Sequence, residues 1–147
     1  MNKYTVAEYH KLRRKGWHAK EALRAARIKD EWLDAESEGF VKLDIVADDC
    51  VSLDGILGDC YDPKVITDIS PKRLAAQRKL EIERINRDGV WGIVGKVKVP
   101  ACSKCHSNER WETVESIWGF VGDDWKNSGH DTDVMSAVLT ARKKIAW

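Results

Sequence analysis

The fold is decided by residues 90–121, which read VWGIVGKVKVPACSKCHSNERWETVESIWGFV. Apolar and polar side chains alternate over 90–99 and again over 111–121, which is the period of a β-strand. Residues 100–110 between them are rich in turn-forming side chains. We therefore predict two strands that pair as an antiparallel hairpin.

A short repetition supports this hairpin. The pattern around Trp91-Gly92 recurs around Trp118-Gly119, and a register that pairs the two copies places each tryptophan across from a glycine of the other strand. A large side chain that covers a glycine on a neighbouring strand stabilises the sheet, because the glycine has no side chain of its own to pack. We predict this structural role for both tryptophans ahead of stacking on a ligand.

Helices flank the hairpin in the sequence. Thr5, Thr132 and the pair Ser70-Pro71 are typical of helix starts, and Gly16 is typical of a helix end. Together with apolar periodicity, these residues predict helices over 5–16, 18–38, 70–89 and from 132 onward, a strand over 40–46, and at most one helical turn at 53–57. The order ααβαββα predicts an α+β fold, with an amino-terminal αα-hairpin and a small three-stranded antiparallel sheet packed by helices. The predicted buried stripes are Ala22, Ala25, Ala26, Trp32 and Leu33 in the second helix and Leu74, Ala75, Ile82 and Ile85 in the third.

Length and composition limit the class of protein. The chain has 147 residues, of which 43% are hydrophobic and 33% charged, so we predict a single domain over 1–147, with a helical hairpin subdomain over 1–38 and an α+β part over 39–147. A TIM barrel does not fit this length, and a two-domain enzyme is disfavoured. Apolar runs are too short for a membrane span and the first residues do not resemble a signal peptide. We expect a cytoplasmic protein without a membrane partner.

The small formal net charge of +1 conceals blocks of opposite sign. Residues 1–29 carry nine basic and two acidic side chains, whereas residues 30–68 carry two basic and twelve acidic ones. Such blocks either neutralise each other within the fold or present a basic and an acidic face to different partners.

The cysteines predict one candidate metal site. Cys102 and Cys105 form a CxxC motif at the tip of the predicted hairpin, which is the shape of a zinc knuckle. Cys50 and Cys60 are predicted to complete a structural zinc site, with His106 and His130 as alternative ligands and four reduced thiols as the simpler interpretation. Haem attachment through CxxCH would require export, and thioredoxin-like chemistry would require the motif at a helix start, so we expect neither.

The basic amino-terminal hairpin predicts a candidate nucleic-acid surface. A helix, a glycine and a second helix are typical of a helix-turn-helix, although Leu12 is large for the crossing position and the second helix is long. A solvated basic face is the simpler interpretation. The cations that would contact phosphates are Arg13, Arg14, Lys15, Lys20, Arg24 and Arg27.

The sequence contains no spacing typical of an enzyme. The acidic segments 48–62 and 123–133 lack the EF-hand alternation, and no P-loop, kinase, nuclease or hydrolase motif is present. The four histidines, at 10, 18, 106 and 130, have no metalloenzyme spacing. We therefore predict a protein that is not an enzyme.

Several segments resemble a widespread family of small proteins from bacteriophages, prophages and conjugative elements. They are DGVWGIVG at 88–95, SIWGFVGDDWKNSG at 116–129, the region from Cys50 to Pro63, and YTVAEYHKLRRKGWHAKEALRAAR at 4–27. The resemblance implies an origin in a mobile element and assigns no catalytic residues. Small proteins of that origin include anti-CRISPR and anti-restriction proteins, which act by occupying the surface of a host protein.

These observations together predict an accessory protein that binds and inhibits a bacterial defence protein inside the host cell. Acids beside aromatic side chains can imitate nucleic acid towards a basic groove. The alternative is a nucleic-acid-binding regulator that uses the basic hairpin, and homodimer formation is left open. The predicted partner-binding residues are Asp48, Asp49, Asp59, Asp62, Trp118, Asp123, Asp124 and Trp125.

Overall fold

A computed structural model describes residues 2–146 and confirms the predicted α+β fold and element order. The single helical turn predicted at 53–57 is present as a short helix, and one 3₁₀ turn, Asp124–Asn127, follows the last strand. The elements are α1 (Lys3–Arg14), α2 (Ala19–Ser37), β1 (Val41–Ala47), α3 (Leu53–Leu57), α4 (Pro71–Asp88), β2 (Val90–Val99), β3 (Arg110–Val121) and α5 (His130–Lys143).

The three strands form one antiparallel sheet in the order β1-β2-β3. The backbone N–H of Lys98 donates to the carbonyl of Phe40 at 2.9 Å, and that of Asp48 donates to the carbonyl of Val90 at 2.8 Å. The start of β1 thus lies beside the end of β2, which is the antiparallel arrangement. Central strand β2 is the most buried of the three.

The described chain divides into two compact units, and the division falls within each of the three strands. The first unit comprises the described parts of Met1–Asp44, Ile93–Ile117 and Gly129–Trp147; the second comprises Ile45–Gly92 and Trp118–Ser128. The predicted subdivision between residues 38 and 39 differs from this one, because the start of β1 groups with the helical hairpin.

In the first unit, α1 and α2 form the predicted αα-hairpin. Gly16 has a φ of +92°, and the N–H of Trp17 returns to the carbonyl of Leu12 at 3.2 Å, as expected for a helix ended by glycine. The predicted Thr5 cap is wrong. Asn2 caps α1 by accepting from the N–H of Thr5 at 2.9 Å, and Thr5 itself is buried in the first turn.

Helix α5 of the first unit packs closely on β2. A Cβ atom added to Gly95 would lie 2.5 Å from Val134 and 2.6 Å from Val138, both of which are fully buried. The predicted Thr132 cap is also wrong, because α5 begins at His130 and places Thr132 inside the first turn. There the N–H of Thr132 donates to the carboxylate of Asp131 at 2.9 Å.

In the second unit, α4 begins and ends as predicted. Ser70 accepts from the N–H of Arg73 at 3.3 Å, Pro71 occupies the first turn, and Gly89 ends the helix with a φ of +76°. The core of this unit consists of Leu57, Ile85, Val90 and Val121, against which Val51, Ile56, Tyr61 and Ile82 pack. The apolar side chains of the acidic segment 48–62 therefore pack in the same core as Ile82 and Ile85 of α4.

The predicted helical stripes are largely confirmed. Leu33 is 54% exposed and Ala75 is also exposed, so both were wrongly predicted, and Ile82 is half-buried. The buried positions are Ala22, Ala25, Ala26 and Trp32 in α2 and Leu74 and Ile85 in α4.

Only one of the two predicted tryptophan–glycine pairs forms. A Cβ atom added to Gly92 would collide with the indole of Trp118, so Trp118 covers that glycine as predicted. No atom lies within 4 Å of a Cβ added to Gly119, whose φ of +95° is left-handed. Trp91 instead donates from Nε1 to the carbonyl of Asp88 at 2.9 Å.

No helix in the described part of the chain is long and apolar enough to span a membrane.

Candidate protein-binding surface

The second unit contains a surface pocket of about 590 Å³. It lies where the end of α4, the start of β2 and the segment after β3 meet, and it combines two indoles with five charged side chains. We call it the Trp–Asp pocket. Its lining residues are Ile45, Arg84, Asp88, Trp91, Gly122, Asp123, Asp124, Trp125 and Lys126.

Arg84 forms one wall of the Trp–Asp pocket and is held by two carboxylates. Its two Nη atoms donate to both oxygens of Asp124 at 3.0 and 2.8 Å, and Nε and Nη2 donate to Glu81 at 3.2 and 2.8 Å. Hydrogen bonds to Asp124 and then to Glu81 raise the pKa of Arg84. These four hydrogen bonds fix the planar guanidinium. Arg84 therefore positions Asp124 and is not a site for an anion from solution.

The end of α4, one helical turn after Arg84, also lines the pocket. Arg87 donates to both oxygens of Asp88 at 2.9 and 3.1 Å, and this contact lowers the pKa of Asp88 and raises that of Arg87. Gly122 has a φ of +53°, and a Cβ atom there would lie 3.1 Å from Cβ of Asp88, so both the backbone conformation and the close packing favour glycine. The hydrogen bond from Trp91 to the Asp88 carbonyl fixes the orientation of the first indole.

The rim of the pocket carries the most accessible charge. The side chain of Asp123 is 83% exposed, and its Oδ2 lies 3.5 Å from Nζ of Lys126. That ammonium also lies 5.7 Å from the ring centroid of Trp125, within reach of a cation–π contact. Carboxylates form charge-assisted hydrogen bonds with arginine and lysine, and an indole ring attracts cations, as Trp125 attracts Lys126. Asp123 and Trp125 are therefore chemically suited to an arginine or lysine side chain of another molecule.

The acidic segment 48–62 of the same unit adds further negative charge. Asp49 and Asp59 are exposed, whereas Asp48 and Asp62 accept backbone N–H groups two residues ahead and so also shape the loop. The neighbouring Asp54 is 96% exposed.

All eight predicted partner-binding residues belong to the second unit, but only Asp123, Asp124 and Trp125 line the pocket. The sequence did not indicate Arg84, Asp88, Trp91 or Lys126. The sequence predicts only that Trp91 covers a glycine, and nothing in it distinguishes Arg84 from the other basic side chains of α4. The glycine at 122, directly before the two aspartates, was the one available signal for a close approach at this point.

The structure does not form the predicted four-cysteine zinc site. Cys50, Cys60 and Cys105 are exposed and Cys102 is half-buried, all four as free thiols. Among residues 2–146, no three His, Cys, Asp or Glu side chains are grouped so that they could hold a metal ion. The CxxC spacing correctly places Cys102 and Cys105 in one tight turn. It gave no information on whether Cys50 and Cys60 lie near that turn.

The alternative basic surface is present on α1, α2 and the turn between them. All six of its predicted cations are exposed. Within this set, Arg13 donates to the carbonyl of Trp17 at 2.8 Å, and Arg24 lies 3.8 Å from Asp133.

A comparison of the chain with known protein families, with curated proteins and with solved structures finds no match.

Proposed function

We propose that this chain is a non-enzymatic accessory protein of a phage or other mobile element that binds a basic surface of a bacterial defence protein and inhibits it. The Trp–Asp pocket receives an arginine or lysine side chain of that partner. The acidic segment 48–62 provides the surrounding negative charge.

The observation that carries this proposal is the exposed Asp123 carboxylate beside the indoles of Trp125 and Trp91. Arginine stacks on an aromatic ring and forms paired hydrogen bonds with a carboxylate, so one side chain satisfies both groups. Arg84 does not compete as an anion site, because Glu81 and Asp124 accept from four of its five N–H donors.

The charge of the second unit supports the same class of partner. Its residues include eleven Asp or Glu and eight Lys or Arg, whereas the first unit has thirteen acidic and seventeen basic residues. An excess of exposed carboxylates attracts a basic groove by long-range electrostatics and accelerates encounter. Host nucleases and their targeting complexes present such grooves, because they must bind phosphates.

The resemblance to proteins of mobile elements supports the choice of a host protein as target. If the basic groove of the partner cannot hold this protein and nucleic acid at the same time, binding of this protein inhibits the partner. The expectation that the chain is not an enzyme is part of the same proposal.

Affinity capture from a bacterial lysate tests the proposal, with four baits: the wild type, Asp123→Asn, Trp125→Ala and the charge-matched control Glu36→Gln on α2. We expect the wild type and Glu36→Gln to retain one stoichiometric protein that elutes as salt rises. Asp123→Asn and Trp125→Ala should lose most of it. Equal recovery on all four baits, or recovery of nucleic acid alone, would contradict the proposal.

The second candidate is nucleic-acid binding, which is favoured by the exposure of all six basic side chains on the amino-terminal hairpin. A mobility shift with duplex DNA at two salt concentrations tests it. Affinity that falls steeply with salt, and that Arg13→Gln with Arg14→Gln weakens, would favour this function.

A further inference from the structure

The tip of the β2–β3 hairpin is a tight turn that carries two cysteines, and we call residues 102–107 the dithiol turn. Its ends are joined by an isolated antiparallel bridge, in which the N–H of Cys102 donates to the carbonyl of Ser107 at 2.9 Å. His106 has a φ of +55°, a left-handed conformation that turns the chain back after Cys105. This path brings the side chain of Cys105 beside that of Cys102.

The sulfur of Cys105 is exposed and surrounded by hydrogen-bonding groups. Its Sγ lies 3.0 Å from Oγ of Ser107. The contact with the side chain of Cys102 is the main cause that lowers the pKa of Cys105 to about 7, and the hydroxyl and backbone of Ser107 lower it further. Donors of this kind stabilise a thiolate, which is the reactive form of cysteine.

We propose that the dithiol turn is a thiol–disulfide exchange site, in which Cys105 attacks a low-molecular-weight disulfide and Cys102 resolves the product. The proposal rests on the exposure of Cys105, the contact between the two thiols and the turn that holds them. Sequence reasoning expected no redox chemistry here, because the motif does not begin a helix. In this turn, Ser107 and Cys102 supply the donors that a helix start would otherwise provide.

The exchange proceeds in two steps. The Cys105 thiolate attacks one sulfur of a disulfide RSSR, which forms a Cys105–SR bond and releases RS⁻. The Cys102 thiol then loses its proton to solvent and attacks Sγ of Cys105, which forms the Cys102–Cys105 bond and expels the second RS⁻. The two protein thiols are oxidised by two electrons, and one RSSR is reduced to two RSH.

The expected rate advantage is moderate. At pH 7, about half of a thiol with a pKa of about 7 is ionised, against about one in a hundred for a thiol with the ordinary value of 9.0. A less basic thiolate is also a weaker nucleophile, by about tenfold over this range. Cys105 should therefore react about fivefold faster at pH 7 than an ordinary exposed thiol.

Reaction with glutathione disulfide at pH 7, followed by peptide mapping in a mass spectrometer, tests the proposal. The wild type should form the Cys102–Cys105 disulfide and accumulate little glutathionylated protein. Cys102→Ser should stop at a glutathionyl group on Cys105. Cys50 and Cys60, exposed cysteines outside the turn, are internal controls and should react about fivefold more slowly.

Two results would overturn the proposal. The first is loss of the free thiol of Cys50 or Cys60 as fast as that of Cys105 in the wild type. The second is a wild type that retains glutathione on Cys105 without forming the internal disulfide. Both readouts follow covalent bonds formed with glutathione disulfide alone, so neither depends on partner binding by the second unit.

Discussion

Single side chains determine how the helices of this protein meet the sheet. At Gly95, the absence of a side chain lets α5 approach β2 so closely that its valines occupy the space of a Cβ atom. At the start of α1, Asn2 rather than Thr5 caps the helix, because an asparagine one turn earlier offers a strong cap and leaves Thr5 to be buried.

Gly95→Ala should lower the free energy of unfolding by about 1–3 kcal/mol, because the new methyl group overpacks a filled core. Val134 and Val138 are fully buried, and close-packed interiors yield little to an added methyl group. Urea unfolding of the variant measures the loss.

A double-mutant cycle provides the control for this prediction. Val134→Ala removes one of the two colliding groups, so its cost and that of Gly95→Ala should sum to more than the cost of the double variant. Strictly additive losses would show that the collision is not the cause.

At the scale of elements, the cap predicted from the sequence is confirmed for α4 and is wrong for α1 and α5. Ser70→Ala should reduce the free energy of unfolding by about 0.5–2 kcal/mol, because the N–H of Arg73 loses its acceptor. The matched control Ser103→Ala, on an exposed turn, should change it by less than about 0.5 kcal/mol. Equal effects in thermal or urea unfolding would contradict the assignment of Ser70 as a cap.

The contact between α1 and α2 predicts a pH dependence of stability. Burial by itself raises the pKa of Glu8, but the hydrogen bond from Lys29 at 2.8 Å and the charges of Lys29, Lys11 and Lys15 outweigh it and lower the pKa from 4.5. A carboxyl group with a lowered folded-state pKa stabilises the protein above its unfolded pKa, and this contribution is lost as pH falls through the folded value.

Glu8→Gln should therefore reduce the free energy of unfolding at neutral pH, and the difference from the wild type should shrink steadily below about pH 4.5. Unfolding in urea at a series of pH values measures it. Lys29→Met should produce the same loss at neutral pH. A difference that stays constant down to pH 3 would contradict the assignment.

Local sequence signals predicted the elements well, and distant contacts account for the errors. Alternation, Gly16, Gly89 and the Ser70-Pro71 pair act within a few residues, so they identify strands and helix ends. Leu33 fits the buried stripe of α2 by periodicity, yet it is 54% exposed because no element covers it. The Trp–Asp pocket joins the end of α4 to the segment after β3, and no spacing in the sequence reports that proximity.

At the scale of the whole molecule, charge is distributed by fold rather than by sequence block. The strongly acidic block 30–68 contributes the second half of α2 and the start of β1 to the first unit and its remaining acids to the second. Basic helix α4 belongs to the second unit, where Arg84 and Arg87 are paired with carboxylates. The unit with the Trp–Asp pocket thus keeps a surplus of acids although it contains a basic helix.

Fluorescence anisotropy with a labelled arginine-rich peptide, run beside a labelled DNA duplex, tests the central claim most directly. We expect the peptide to bind with an affinity that falls as salt rises. Asp123→Asn should weaken it about tenfold, because it removes a charge-assisted hydrogen bond worth about 1.5 kcal/mol, whereas Glu36→Gln should leave it unchanged. Tight binding of the duplex with no binding of the peptide, or equal peptide affinity for both variants, would contradict the account.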